Sequence, residues 1–553
     1  MDTVRFILVI TFIMISMKLW TSWQEEYGPT QTEQQQAPGL QISNQTENEL
    51  PEFSEPRSEV QQVPSVNPVA ETPARDIVNI ETDIFRLIVD KQGAGIVHAA
   101  LLDFPVSLNE LDTPLVLLEE SQNITFVIQG GLLSEQPAPT QQAQYTSIAN
   151  NYVMQANENV LKVPFSWQEN GISITKTYEF TRESHLVKVA YAVKNNSQSI
   201  WRGRAYSQIK RNDPDEGGMR FIYTYTGTVI SDPENRYEKI SFDDIDDAPI
   251  SKQSNDGWIA VIQHYFLAAL VPANREETYH YYTKSLGNKM YTSGLISPGR
   301  EISPGQETDF TEQIYIGPKD QDKLSGIAEG LDLTVDYGML WFIAKPLFWG
   351  LKAIHEKINN WGWSIILVTV FLKLLFYKLS AAGYRSMANM RRVQPRLMSL
   401  KERYKDDRVK MNQAMMQIYK EEKINPFGGC FPILIQIPVF IALYWVLLES
   451  VELRQASFIL WIVDLSRPDP YWVLPLIMGI TMFIQQKLNP APLDPIQAKV
   501  MMTLPIVFTV FFGFFPSGLV LYWVANNTLS ILQQWLIMKN LEKAGLGHKK
   551  KTD

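Results

Sequence analysis

The sequence predicts an α-helical polytopic membrane protein with six spans and both termini inside, carrying a large extracytoplasmic antiparallel β-sandwich. Three observations predict this. The last third of the chain holds five long apolar segments. A region of period-two alternation precedes them. One further apolar run opens the chain within its first twenty residues. The overall composition, 45% hydrophobic and 20% charged, averages two unlike halves and hides the pattern.

Residues 1–23 read as an N-terminal transmembrane anchor. An apolar run from Phe6 to Met17 ends in Lys18, Trp20 and Trp23. No small-residue cleavage site follows, and the two tryptophans suit an interfacial belt. A cleaved signal peptide is the alternative. Residues 24–75 read as a disordered linker. Seven prolines, nine glutamines and nine acidic residues leave too little apolar surface to form a core.

Residues 76–318 read as the β domain. "ISITKTYEF" sets Ile172, Ile174, Tyr178 and Phe180 against Ser173, Thr175, Thr177 and Glu179, and "VKVAYAV" does the same with Val187, Val189, Tyr191 and Val193. Such alternation marks half-buried strands, and the polar "TRESH" between them marks a hairpin. "WIAVIQHYFLAALV", Trp258 to Val271, reads as a core strand, being too short for a span and broken by Gln263 and His264. Residues 319–360 follow as a linker and an amphipathic helix lying in the interface. There Trp341, Phe342, Phe348 and Trp349 alternate with Lys345, Lys352 and Lys357.

Residues 361–538 form a five-span core: Trp361–Tyr377, Phe431–Leu448, Tyr471–Gln486, Val500–Phe515 and Leu519–Met538, with "FPSGL" as the turn between the last two. Between the first two lies residues 384–425, a loop with eleven Lys/Arg and five Asp/Glu. By the positive-inside rule it faces the cytoplasm, as does the basic tail 539–553, so the β domain faces outward. In a Gram-negative cell that is the periplasm, and the protein sits multi-pass in the inner membrane. The loop reads as two helices, with Pro395 in a first turn and Asp407 capping the second. Arg391, Arg392, Arg396, Met398, Met411 and Met415 supply a basic, adaptable surface that either packs on itself or docks a partner. Its positive charge suits substrate or ribosomal RNA.

Lys373 interrupts the first of the five spans. A charge there costs roughly 2.5–3.5 kcal/mol on insertion scales. Thr369, Lys373 and Tyr377 are spaced to share one helix face. Asn526, Ser530 and Gln533 make a second polar stripe on the last span, beside Asn527 and Gln534, and Gln436 adds a polar group on Phe431–Leu448, the third span when the anchor is counted. Either these groups face a hydrated cavity, or Lys373 snorkels towards Lys378 and the amides hold helices together.

"NPFGGCFPILIQIPVFIALYWVLLESVELRQASFILWI" (Asn425 to Ile462), "PSGLVLYWVANN" (Pro516 to Asn527) and "LWTSW" resemble the YidC insertase family of Gram-negative bacteria. The resemblance covers the anchor, the outer domain and all five later spans. It implies an insertase and chaperone that receives hydrophobic segments in a cytosol-open polar groove and releases them sideways into lipid. The partners implied are nascent membrane proteins, the bilayer, the Sec translocon and the ribosome. It also implies a β-supersandwich and a basic residue in the groove. Family members usually have arginine there, whereas Lys373 keeps the charge and loses the planar fork. Phe440, Tyr444, Tyr522 and Trp523 would line the lateral path.

A solute or ion transporter is the alternative, but no internal repeat of the transporter kind is visible. No P-loop, H-E-x-x-H or G-x-S-x-G motif is present, and six histidines with one cysteine form no ligand cluster. The expectation is therefore a non-enzyme with no cofactor and no metal.

Overall fold

The computed structural model describes residues 75–213, 224–404, 407–422, 431–489, 495–541 and 543. The expected anchor, nearly all of the acidic linker and most of the basic tail lie outside the described residues.

Two sheets face each other. One has nine strands, in the spatial order Glu238–Ile240, Gly227–Ser231, Trp258–Gln263, Phe266–Pro272, Glu307–Pro318, Leu186–Asn195, Ile172–Thr181, Val160–Glu169 and Thr146–Ser147. The other has eleven, and its Ile77–Glu81 strand pairs in parallel with Asn151–Val153. The remaining pairings of named strands are antiparallel, so the expected sandwich is found with one parallel pair added. The "TRESH" hairpin forms, with Val187 opposite Phe180. Trp258 to Val271 is two strands rather than one. The chain reverses at His264 and Tyr265, and Ile259 pairs with Leu270. The polar break that argued against a span is the turn.

Apolar side chains of both inner faces make the core, among them Leu87, Ile96, Val163, Phe165, Val189 and Trp201, all fully buried. The alternation that predicts strand Ile172–Thr181 also turns Lys176 inward, which the sequence reading passes over. Its Nζ donates to Ala94 O (2.9 Å), Gly93 O (3.3 Å) and Gly130 O (3.4 Å). In the same sheet, two strands away on Glu307–Pro318, Glu312 accepts a hydrogen bond from the Ser207 hydroxyl. Burial pushes the Glu312 carboxyl up to about 7 and the Lys176 ammonium down to about 7. Between pH 4.5 and about 7 the folded state keeps a Glu312 proton that the unfolded chain has lost, so this group makes stability fall as pH rises. Lys176 acts the other way between about 7 and 10.5, where the unfolded chain holds the extra proton. Glu312→Gln is therefore expected to remove the acid-side loss. Its stability relative to the parent should improve from pH 4.5 to 7 by on the order of 3 kcal/mol. Thermal unfolding followed by the fluorescence of buried Trp201 and Trp258 reads this, and a pH-independent difference would refute it.

Ten helices are described. Phe242–Asp247 (α1) lies within the sandwich. Gln321–Ile327 (α2) follows the last strand and packs Leu324 on Trp258, Ala269 and Tyr315. Next come Trp341–Ile358 (α3), Trp361–Leu375 (α4), Tyr377–Arg403 (α5), Arg408–Glu421 (α6), Phe431–Glu449 (α7), Val473–Leu488 (α8), Pro495–Phe512 (α9) and Ser517–Leu541 (α10).

α3 is amphipathic: it buries Ala344, Leu347, Phe348 and Leu351, and leaves Trp341, Phe342 and Trp349 exposed. Two asparagines separate it from α4. Asn359 takes the left-handed conformation (φ 55°) that ends α3. Asn360 caps α4 by accepting the Trp363 N–H at 3.0 Å. α8 and α9 touch closely, because a methyl group at Gly479 would collide with Thr509 Oγ1.

The α4–α5 boundary differs from the sequence reading. The chain bends by 69° between Leu375 and Tyr377, so the first helix of the basic hairpin begins at Tyr377 rather than near 384. Pro395 lies inside α5 instead of in a first turn. Asp407 caps α6 as expected, accepting from Lys410 N at 3.0 Å.

Among the described residues no single helix is both long enough and apolar enough to cross a membrane by itself; α4 and α5 taken together are, with their bend. Two causes are visible. α8 has 16 residues, which spans ~24 Å against a ~30 Å hydrocarbon core. α10 has 25 residues but carries the polar stripe.

Candidate polar groove and its basic hairpin

α4, α7 and α10 meet around a polar centre. On α4, Thr369 and Lys373 share a face, one turn apart. Thr369 is buried and its hydroxyl donates to Ile365 O at 2.6 Å. Lys373 Nζ donates to Ser530 Oγ at 2.7 Å, and Ser530 Oγ donates to Asn526 O at 2.7 Å. The ammonium therefore points inward to α10, not along the helix to the membrane surface, which decides against snorkelling. No acidic neighbour compensates Lys373 among the described residues.

The polar stripe on α10 is buried along its length and serves two purposes. Asn526 and Ser530 face the centre. The other members tie helices together: Gln533 Nε2 donates to Tyr377 O (3.2 Å), Asn527 Nδ2 to Thr481 Oγ1 (3.3 Å), and Gln534 Nε2 to Leu488 O (3.3 Å) and Asn489 Oδ1 (3.1 Å). The stripe is thus divided between residues that border cavities and residues that join helices.

Two adjoining cavities occupy the centre. The first, of about 30 Å³, is bounded by Thr369, Lys373, Gln436, Tyr522 and Asn526 and closed by Leu372, Phe376, Leu379, Ser380 and Val439. It exceeds the roughly 10–15 Å³ that one water centre needs, and it offers polar partners. The second, of about 280 Å³, shares Gln436, Tyr522 and Asn526 and extends past Ser530 to Tyr384 and Met387 of α5. Phe440 and Trp523 form its apolar side, with ring centroids 4.6 Å apart and edge to face. Gln436 is hydrogen-bonded to the Tyr522 hydroxyl.

Two expected groove residues fall elsewhere. The bend at Phe376 carries the Tyr377 side chain outward, and only its carbonyl takes part. Tyr444 packs one turn beyond Phe440, 6.2 Å from the Phe515 ring, and lines neither cavity. The sequence reading also missed residues. Ser380, seven positions after Lys373, had helical spacing as its signal. Gln485, Gln486 and Asn489 were polar groups at the end of an apolar run. Leu372, Leu379 and Val439 carried no polar signal.

The basic hairpin is partly self-satisfied. Arg392 and Arg396 donate to opposite oxygens of Glu422, at 2.6 and 2.8 Å. Val393 and Leu397 are buried beneath Met390, Met415 and Ile418. Arg391, Met398 and Met416 stay exposed, and Met411 is half-buried. Met415 therefore belongs to the hairpin's own core, while Arg391 and Met398 remain available to a partner.

Comparison with known proteins gives a consistent result. Residues 77–350 match the YidC periplasmic domain family, and residues 353–544 match the family described as 60Kd inner membrane protein. The chain is 47% identical to the membrane protein insertase YidC of Thioalkalivibrio sulfidiphilus, over 99% of this chain and 100% of the other. It is also 47% identical to that of Methylococcus capsulatus, over 98% of this chain and 99% of the other. Among solved structures it is similar to an active YidC insertase with the first transmembrane domain resolved. There the identity is 17% and the TM-score 0.37, over 83% of this chain and 94% of that one.

Proposed function

Because this chain belongs to the YidC family of membrane protein insertases, we propose that the cavities between α4, α7 and α10 are where it receives its substrates. The activity is insertion of membrane proteins into the inner membrane, with the β domain in the periplasm; a transporter role has no support. The observation that carries the site reading is Lys373 hydrogen-bonded to Ser530 inside a polar cavity.

A hydrophobic segment with a polar flank meets one main barrier, the passage of that flank through hydrocarbon. Water and side chains at Thr369, Lys373, Gln436, Asn526 and Ser530 shorten the dry path. The Lys373 cation attracts an acidic flank more strongly than bulk water allows, because the local dielectric is lower. The apolar part of the substrate leaves along Phe440, Tyr522 and Trp523. The short α8 adds to this, since a helix of ~24 Å thins the bilayer around it. No step needs a covalent intermediate.

The same reading sets six spans, counting an anchor at 1–23, with both ends cytoplasmic and the α5–α6 hairpin over the cytoplasmic mouth. Arg391 and Met398 then face incoming chains or a ribosome, and the Sec translocon is a partner for longer substrates.

Deleting residues 76–310 tests whether the cavities are the working part. The deletion keeps Lys319 and the segment that ties it to the helices through Gln321, Tyr337 and Ser450. It exposes Leu324 and Leu331, which pack on the sandwich, and it removes the Pro105 carbonyl that accepts from Arg454 and Gln455. Such hydrogen bonds contribute about 0.5–1.5 kcal/mol each. Insertion of a small single-span protein into proteoliposomes is expected to stay within a few-fold of normal. Complete loss in a folded variant would place the work in the sandwich.

A further inference from the structure

The outer end of α7 is held from several sides by groups far away in sequence. Lys319 Nζ lies 2.8 Å from Glu449 Oε2, and both side chains are buried, with exposures of 2% and 6%. The Lys319 backbone is itself fixed, its N–H donating to Tyr265 O at 2.8 Å. His264 Nε2 donates to Leu448 O at 2.9 Å, and the Tyr337 hydroxyl lies 3.3 Å from Ser450 Oγ. Beside the pair is a cavity of about 240 Å³ that a second ion pair, Lys239 with Asp336, also faces.

Between helices in lipid there is no hydrophobic force to fix rotation and relative register, since lipid tails are as apolar as leucine. Sliding or rotating an apolar contact costs little, whereas a buried ion pair has one register. α7 needs such a register. Its inner part carries Phe440 and Gln436 to the cavity, roughly 14 and 20 Å along the helix from Glu449. Pro438, between Gln436 and Phe440, lacks the N–H of a helical hydrogen bond and weakens the helix there.

We propose that the buried Lys319–Glu449 pair is a positioning device for insertion: it fixes the depth and rotation of α7 and so sets the Phe440 side of the cavity against Tyr522 and Trp523. The inference rests on the reading that these cavities receive substrate. Lys319 and Glu449 touch no substrate; they act through α7.

The test uses the full-length protein in proteoliposomes with a stalled nascent chain. A photo-cross-linking residue is placed either at Ile437, on the α7 side, or at Leu379, on the opposite wall. In the parent both sites label the chain. In Lys319→Met, labelling from Ile437 is expected to fall several-fold while labelling from Leu379 holds. The reversed pair Lys319→Glu with Glu449→Lys should restore the Ile437 signal. Glu449→Gln, which keeps shape and a neutral hydrogen bond, serves if Lys319→Met does not accumulate; it should shift the ratio of the two signals the same way. Equal loss from both sites overturns the proposal, because that is general damage. No change from either site in a protease-resistant variant also overturns it. Absence of labelling from both sites in the parent would instead remove the cavity reading, and this inference with it.

Discussion

Lys373→Ala is expected to slow insertion of a substrate with an acidic translocated flank by roughly tenfold or more, corresponding to at least ~1.4 kcal/mol of barrier. A nearly uncharged flank should be affected little. The magnitude comes from a cation and a carboxylate at about 4 Å, which attract by ~4 kcal/mol at an effective dielectric of 20 and less as water enters. Lys373→Arg should keep most activity, since the charge survives and Ser530 remains within reach as an acceptor. The empty protein should be no less stable without the charge, because Lys373 has a serine and no carboxylate as its partner. A paired series of substrates differing only in flank charge decides the matter. An equal response across the series would refute electrostatic recruitment and leave hydration of the cavity as the surviving role.

Replacing Arg396–Lys420 by a short linker should leave a membrane-integrated, protease-resistant core that inserts poorly, by about tenfold or worse. The cut removes α6 and the small core around Leu397 and Met415. It spares Tyr384 and Met387, which line the larger cavity, and it leaves Arg392 able to pair with Glu422. Fold and activity should therefore separate. Limited proteolysis reads the first and proteoliposome insertion reads the second. Normal insertion would mean that Arg396, Met398 and Met411 belong only to a solvated, self-packed hairpin.

Much of this arrangement is visible in the sequence because its periods are local. Period two gives strands Ile172–Thr181 and Leu186–Asn195, and helical spacing brings Thr369 to Lys373 and Asn526 to Ser530. What stays hidden depends on distant partners or on weak local signals. Lys176 sits at an inward position of the alternation, but what it meets there, three carbonyls and the nearby Glu312, comes from residues far away in sequence. The bend at Phe376 has neither proline nor glycine to announce it, so Tyr377 was placed on a face that the helix never continues. Pro395 looked like a helix start and sits inside α5. Tyr444 is one turn from Phe440, and only the position of Phe515 decides that it packs rather than lines. The Lys319–Glu449 contact joins residues 130 apart, and no spacing rule reaches that far.

The single serine that holds Lys373 has a kinetic meaning. A receptor that bound a polar flank tightly would stabilise the captured state and the crossing state alike, and uniform binding of that kind does not speed the crossing. A carboxylate beside Lys373 would bind the ammonium so well that each substrate would have to displace it. A deep trap for substrate would make product release the slow step. One neutral hydroxyl at 2.7 Å does neither. On the proposed reading, it would hold the ammonium in place between turnovers and yield to an incoming acid. A hold that is weak at both ends of the cycle would let the protein release what it receives.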